Sequence, residues 1–142
     1  MSIQRAAIVL VLGSALALAG CSKKSESPAA EVTAGGATVK ATSGLTVKAA
    51  FDPATPKTGD NTLTLTVTGK DGKPVTGAGI AITPWMPDHN HGSDKTPVVT
   101  EKANGEYAVE SVGYTMPGAW VLKVNVTHAG GLDRVEVPVE VP

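Results

Sequence analysis

From Leu45 onward the sequence predicts an antiparallel, all-β sandwich of about seven short strands. Three observations carry that class. Apolar residues recur with a period of two rather than 3.6. Val and Thr abound while Leu is sparse beyond residue 18, which suits a pleated surface better than a helix. Sixteen Gly and ten Pro break the chain into short segments.

Each strand follows from local pattern. Leu45, Val47, Ala49 and Phe51 alternate with Thr46, Lys48 and Ala50, and a turn region runs from Asp52-Pro53 to Gly59-Asp60. Leu63, Leu65 and Val67 alternate with Thr62, Thr64, Thr66 and Thr68, a half-buried strand. Asp71-Gly72 carries a hairpin-type turn signal. Ala78, Ile80 and Ile82 begin a strand that runs toward Met86, and residues 87–95 are polar and turn-rich. A short strand spans residues 98–101, Asn104-Gly105 turns the chain, and Tyr107 and Val109 mark the next strand. After a break at 112–118, Trp120, Leu122, Val124 and Val126 alternate with Val121, Lys123, Asn125 and Thr127. Gly130-Gly131 reverses the chain, and Val135, Val137, Val139 and Val141 close it, with Pro138 predicting an edge strand. The expected arrangement is an immunoglobulin-like β-sandwich. A Cys…Trp…Cys spacing is absent, so a true immunoglobulin domain is not expected, and a single Cys permits no intramolecular disulfide.

The start of the chain reads differently. Met1 to Arg5 is a short segment with one positive charge, and residues 6–18 form an apolar run too short to span a bilayer. Residues 1–20 are therefore expected to be a signal peptide. Leu18-Ala19-Gly20-Cys21 resembles the lipobox of bacterial lipoproteins, which implies cleavage before Cys21 and acylation of Cys21, a firm anchor once two or more acyl chains are attached. Ser22, rather than Asp, after the anchor favours the outer over the inner membrane by the same resemblance, with the body on the periplasmic side. Residues 21–44 are rich in Ser, Ala, Lys, Gly and Glu without an apolar period, the composition of a disordered tether. The folded domain is then expected over residues 45–142.

Lys plus Arg number 12 against 13 Asp plus Glu, a net charge of −1 without basic runs, which argues against nucleic acid as a partner. The size excludes a large enzyme with a deep cleft. No nucleophile–base pair or carboxylate dyad stands out, so catalysis is not expected.

The soft donors are clustered. Met86, His89 and His91 fall within Trp85-Met86-Pro87-Asp88-His89-Asn90-His91-Gly92, and Met116 lies in Tyr114-Thr115-Met116-Pro117-Gly118. Imidazole with thioether is the ligand set preferred by Cu(I). His-x-His on an extended segment places both rings on one side. If every connection reverses direction, the loop after Met86 and the break before Gly118 share one end of the sandwich, so Met116 approaches His89 and His91 while His128 falls at the other end. Met86 also continues the parity of Ile80 and Ile82, so it equally suits a cap on the core. Met116 equally suits a core filler, and His89 and His91 equally suit solvated loop residues. Trp85 is a candidate cation–π shield for a bound ion or a packing residue, Asp88 a candidate orienting partner for a His or a turn residue. Trp120 keeps the parity of Leu122 and is expected in the core.

Gly72-Lys73-Pro74-Val75, then Pro84-Trp85-Met86-Pro87 with His89-Asn90-His91-Gly92, then Gly105-Glu106-Tyr107, then Met116-Pro117-Gly118-Ala119-Trp120, resemble the YtkA-like/FixH-like domain over roughly residues 45–142. The resemblance implies an exported or membrane-attached sandwich associated with copper handling or oxidase maturation. The lipobox in place of a transmembrane helix departs from FixH-like proteins, and the long Met- and His-rich tracts of dedicated copper carriers are lacking. Two functions remain: a monomeric periplasmic module that takes copper, foremost Cu(I), and hands it to a partner protein, or an interaction domain that binds no metal.

Overall fold

The computed structural model describes residues 30–142; the expected signal peptide, Cys21 and residues 22–29 of the expected tether lie outside the described residues. Ten strands follow in order: β1 (Ala30–Thr33), β2 (Gly36–Lys40), β3 (Thr46–Asp52), β4 (Gly59–Thr68), β5 (Gly79–Met86), β6 (His91–Gly92), β7 (Val98–Glu101), β8 (Glu106–Tyr114), β9 (Gly118–His128) and β10 (Gly131–Val141). They form two antiparallel sheets, ordered β1-β2-β3-β4-β8-β7 and β10-β9-β5-β6. No described helix is long and apolar enough to cross a membrane.

The period-two pattern does what it should. Val47, Ala49 and Phe51 of β3, Leu63, Leu65 and Val67 of β4, and Tyr107 and Val109 of β8 face inward from one sheet. Trp120, Leu122, Val124 and Val126 of β9 and Val135, Val137, Val139 and Val141 of β10 face them from the other. Each fully buried Val or Leu contributes about 1.5–3 kcal/mol of transfer free energy, and their interleaving fixes the register. Pro138 sits in β10, the edge of its sheet, where a missing N–H costs no ladder bond.

Three expectations need correction. The sandwich has ten strands, not seven, partly because residues 30–40, assigned to the tether by composition, form β1 and β2. Ala37 and Val39 of β2 are buried against β3, pairing Ala37 with Ala49 and Val39 with Val47. Asp71-Gly72 closes a short hairpin-like turn, with the Gly69 N–H on the Lys73 carbonyl and the Val75 N–H on the Val67 carbonyl, but it does not pair the two long strands that flank it. Its strands, β4 and β5, belong to different sheets, and the chain crosses between them with a single bridge from Thr68 to Pro74. Lastly, the break at 112–118 divides. Residues 112–114 continue β8 past a bulge at which Ser111 takes a φ of 59°. Only residues 115–117 turn, carrying the chain from one sheet to the other.

Two polar anchors hold these irregular places. Asn61, buried opposite the bulge, donates its amide to the carbonyls of Lys57, Gly59 and Val112 and accepts from the Lys57 N–H. The Tyr107 hydroxyl donates to the Val75 carbonyl (2.8 Å) and accepts from the Ala78 N–H (3.2 Å), pinning the β4–β5 crossover to the core. Tyr107→Phe strips both bonds and leaves a half-buried carbonyl without that donor, so it should cost about 1–3 kcal/mol in a denaturant titration with the fold retained.

The far pole carries a second clip. The His128 Nε2–H donates to Asp133 Oδ2 at 2.8 Å across the β9–β10 hairpin. That bond foremost, and one from Ser43, holds the Asp133 carboxyl below the usual carboxylate range. A depressed folded value stabilises the fold above the ordinary carboxylate range, and this contribution is lost as pH falls through the depressed value. Denaturant midpoints should therefore drop on acidification, and Asp133→Asn should make that drop shallower.

Candidate metal centre

Two crossovers meet at the pole where β5 and β8 end. After Met86 the chain makes one 3₁₀ turn, Pro87–His89, with Pro87 at its start and Asn90 closing it in the left-handed region (φ 53°, ψ 42°) through an N–H bond to the Pro87 carbonyl. His91–Gly92 then folds back on β5, pairing Met86 with His91 and Trp85 with Gly92. The His-x-His segment is thus not extended, as its spacing suggested; the turn gathers the rings instead. Their centroids are 6.0 Å apart. Two imidazoles sharing one ion, each at a metal–nitrogen distance of about 2.0–2.1 Å, stand about that far apart.

His91 Nδ1 lies 3.0 Å from the Gly92 carbonyl. A carbonyl only accepts, so Nδ1 carries the proton of that bond and Nε2 is left as the candidate ligand atom. Asn90 holds this geometry because Asn tolerates the left-handed region better than most residues. Asn90→Val should cost about 1–2 kcal/mol and separate the two rings, whereas Asn90→Gly should leave both stability and the histidine NMR signals close to wild type.

The second crossover supplies the floor. Gly118, at φ 128°, opens β9, and a Cβ placed on it would lie 3.0 Å from Met86 Cε. The methyl end of Met86 therefore abuts the turn that carries Met116. Trp120 sits beneath. Its Nε1–H donates to the Met116 carbonyl at 3.0 Å, and its ring meets His91 edge to face at 5.5 Å and 78°. Tyr114 packs behind Trp120 at 5.2 Å. The Tyr114 hydroxyl is buried with no hydrogen-bond partner among the described residues, and desolvation pushes its pKa upward. Tyr114→Phe has no bond to lose and should be neutral or stabilising in the same titration that penalises Tyr107→Phe.

The expected ligands thus divide by depth. Met86 is only 2 % exposed and belongs to the core, Met116 is half-buried against it, His91 is half-buried and His89 is exposed. Asp88 is exposed in the 3₁₀ turn, while the ring proton of His91 goes to Gly92. Trp85 lies on the outer face of its sheet under the Lys123 ammonium, 4.3 Å from the ring centroid, so its cation is Lys123. His128 falls at the opposite end of β9, paired with Asp133. Trp120, placed in the core by parity, is buried there and its ring also meets His91 of the histidine loop. The signal for it was its position three residues after the second crossover, since a core residue so close to the pole must lie beneath the loops. Among the described residues no three His, Cys, Asp or Glu side chains gather. The donors at this pole are two imidazoles and the methionine sulfurs.

No curated protein matches this chain. Residues 39–125, from β2 into β9 and including both crossovers of the site, match the family profile described as YtkA-like, and the chain belongs to that family.

Proposed function

We propose that this chain is a non-catalytic, lipid-anchored protein of the cell envelope that binds one soft metal ion, copper as Cu(I), at the pole formed by Met86, His89, His91 and Met116, and passes it to a partner protein by ligand exchange. The observation that carries this reading is the 6.0 Å separation of the His89 and His91 rings beside the turn that bears Met116 and abuts Met86. Imidazole and thioether favour Cu(I) over harder ions. The gradient of exposure suits transfer, with His89 outermost for capture and release and the sulfurs deeper. Acylation of Cys21 would hold the body on the periplasmic side, with the outer membrane favoured by Ser22, and the domain would act as a monomer.

Anaerobic competition with a chromogenic Cu(I) chelator tests the reading. The protein should withhold about one Cu(I) per chain, and the double variant His89→Ala/His91→Ala should lose that binding with an unchanged thermal midpoint. A protein that yields copper, silver and zinc fully to the chelator overturns it and leaves an interaction domain that binds no metal.

A further inference from the structure

We infer that Trp120 is the inner wall of this site and a positioning residue for both of its loops, and that it restricts the site to a monovalent soft cation, Cu(I) or Ag(I). The inference rests on the metal-binding reading above. Trp120 is buried to 1 % exposure, and it contacts both crossovers. Its N–H fixes the Met116 carbonyl, and its ring fixes His91. Tyr114 backs it from the core side, so the wall has nowhere to retreat.

The wall has chemical consequences. An indole ring offers a π face but no lone pair in the ring plane, so the side of the site it closes admits neither water nor a further ligand. Zn(II) is ordinarily held by thiolate, imidazole and carboxylate ligands, and Cu(II) prefers tetragonal nitrogen and oxygen donors, and two imidazoles with two thioethers beside a wall that adds no donor supply neither set. A monovalent soft ion that takes thioether and imidazole donors fits, and the ring quadrupole attracts it. The unpartnered Tyr114 hydroxyl fits a residue kept for its ring, which braces Trp120, rather than for its polar group.

The chain has two Trp, so Trp85→Phe leaves Trp120 as the sole indole while altering only the outer face of the sheet. In that variant, Ag(I) should quench Trp120 emission in step with its binding, saturating at one ion per chain, and Zn(II) in the same range should neither quench nor compete. Trp120→Phe, which keeps an aromatic floor but loses the N–H bond to Met116, should weaken Ag(I) binding about fivefold, the equivalent of one hydrogen bond. Ag(I) bound, as measured by chelator competition, with Trp120 emission unchanged overturns the wall while the metal reading stands. Zn(II) displacing Ag(I) at comparable concentration overturns the restriction to monovalent ions. Failure to bind either Ag(I) or Cu(I) overturns the metal reading, and the wall falls with it.

Discussion

Gly36→Ala is expected to detach the β1–β2 hairpin from the sandwich. A Cβ on Gly36 would sit 2.0 Å from the Ala49 carbonyl oxygen, 3.1 Å from its carbon and 3.2 Å from Ala50 Cα. All three are backbone atoms of β3, so no rotamer relieves the overlap. Relief requires β2 to move away from β3. That move breaks the ladder from Gly36 to Lys40 and uncovers Ala37 and Val39, both almost wholly buried. Loss of the Val39 contribution alone is about 1.5–3 kcal/mol, and the lost ladder bonds add to it. Hydrogen exchange should report unprotected amides through residues 36–40 while β9 and β10 remain protected. The variant should also unfold at lower denaturant. A variant with a wild-type midpoint and a protected Val39 amide would show that β3 can yield at Ala49 instead.

That glycine marks where the sequence was legible and where it was not. In a two-layer antiparallel body each strand has one buried face, so alternation reads directly onto burial wherever the inward residues are large. It did so for Leu63, Leu65 and Val67 and for Trp120 through Val126. Over residues 36–40 the inward residues are only Ala37 and Val39, preceded by Gly35-Gly36, and the composition looks like a linker. Yet it is the small side chains that let β2 lie so close to β3. Turn chemistry was legible where the turn is local: Asn104 and Gly105 both take positive φ and close the loop with a Glu106 N–H to Ala103 carbonyl bond of 3.0 Å. At Asp71-Gly72 the turn forms but the next strand lies in the other sheet, because a turn signal says that the chain bends and not which sheet it enters next. The shared pole of the two Met/His segments followed from strand direction alone. The contact of Trp120 with His91 did not, because which core side chain meets a loop depends on how one sheet faces the other.

Met86→Leu should separate the two roles that converge on this position. Leu is close to Met in volume, and such exchanges in a core cost less than about 1.5 kcal/mol. Met86 is buried between the sheets with its methyl group against Gly118, so Leu has space to fill and little to clash with. If Met86 only caps the core, Cu(I) affinity should stay at the wild-type value. If its sulfur is a ligand, as proposed, Leu removes a donor that no neighbouring side chain replaces. The loss should then exceed the roughly 10–100-fold typical of residues that merely support a ligand. Met116→Leu provides the parallel case at a half-buried position, where the thermal midpoint should move even less. Chelator competition on both variants, beside their thermal midpoints, distinguishes the outcomes. Unchanged stability with lost copper assigns the sulfur to the metal, whereas unchanged copper binding with Leu at position 86 returns Met86 to the core alone and leaves His89, His91 and Met116 as the ligands.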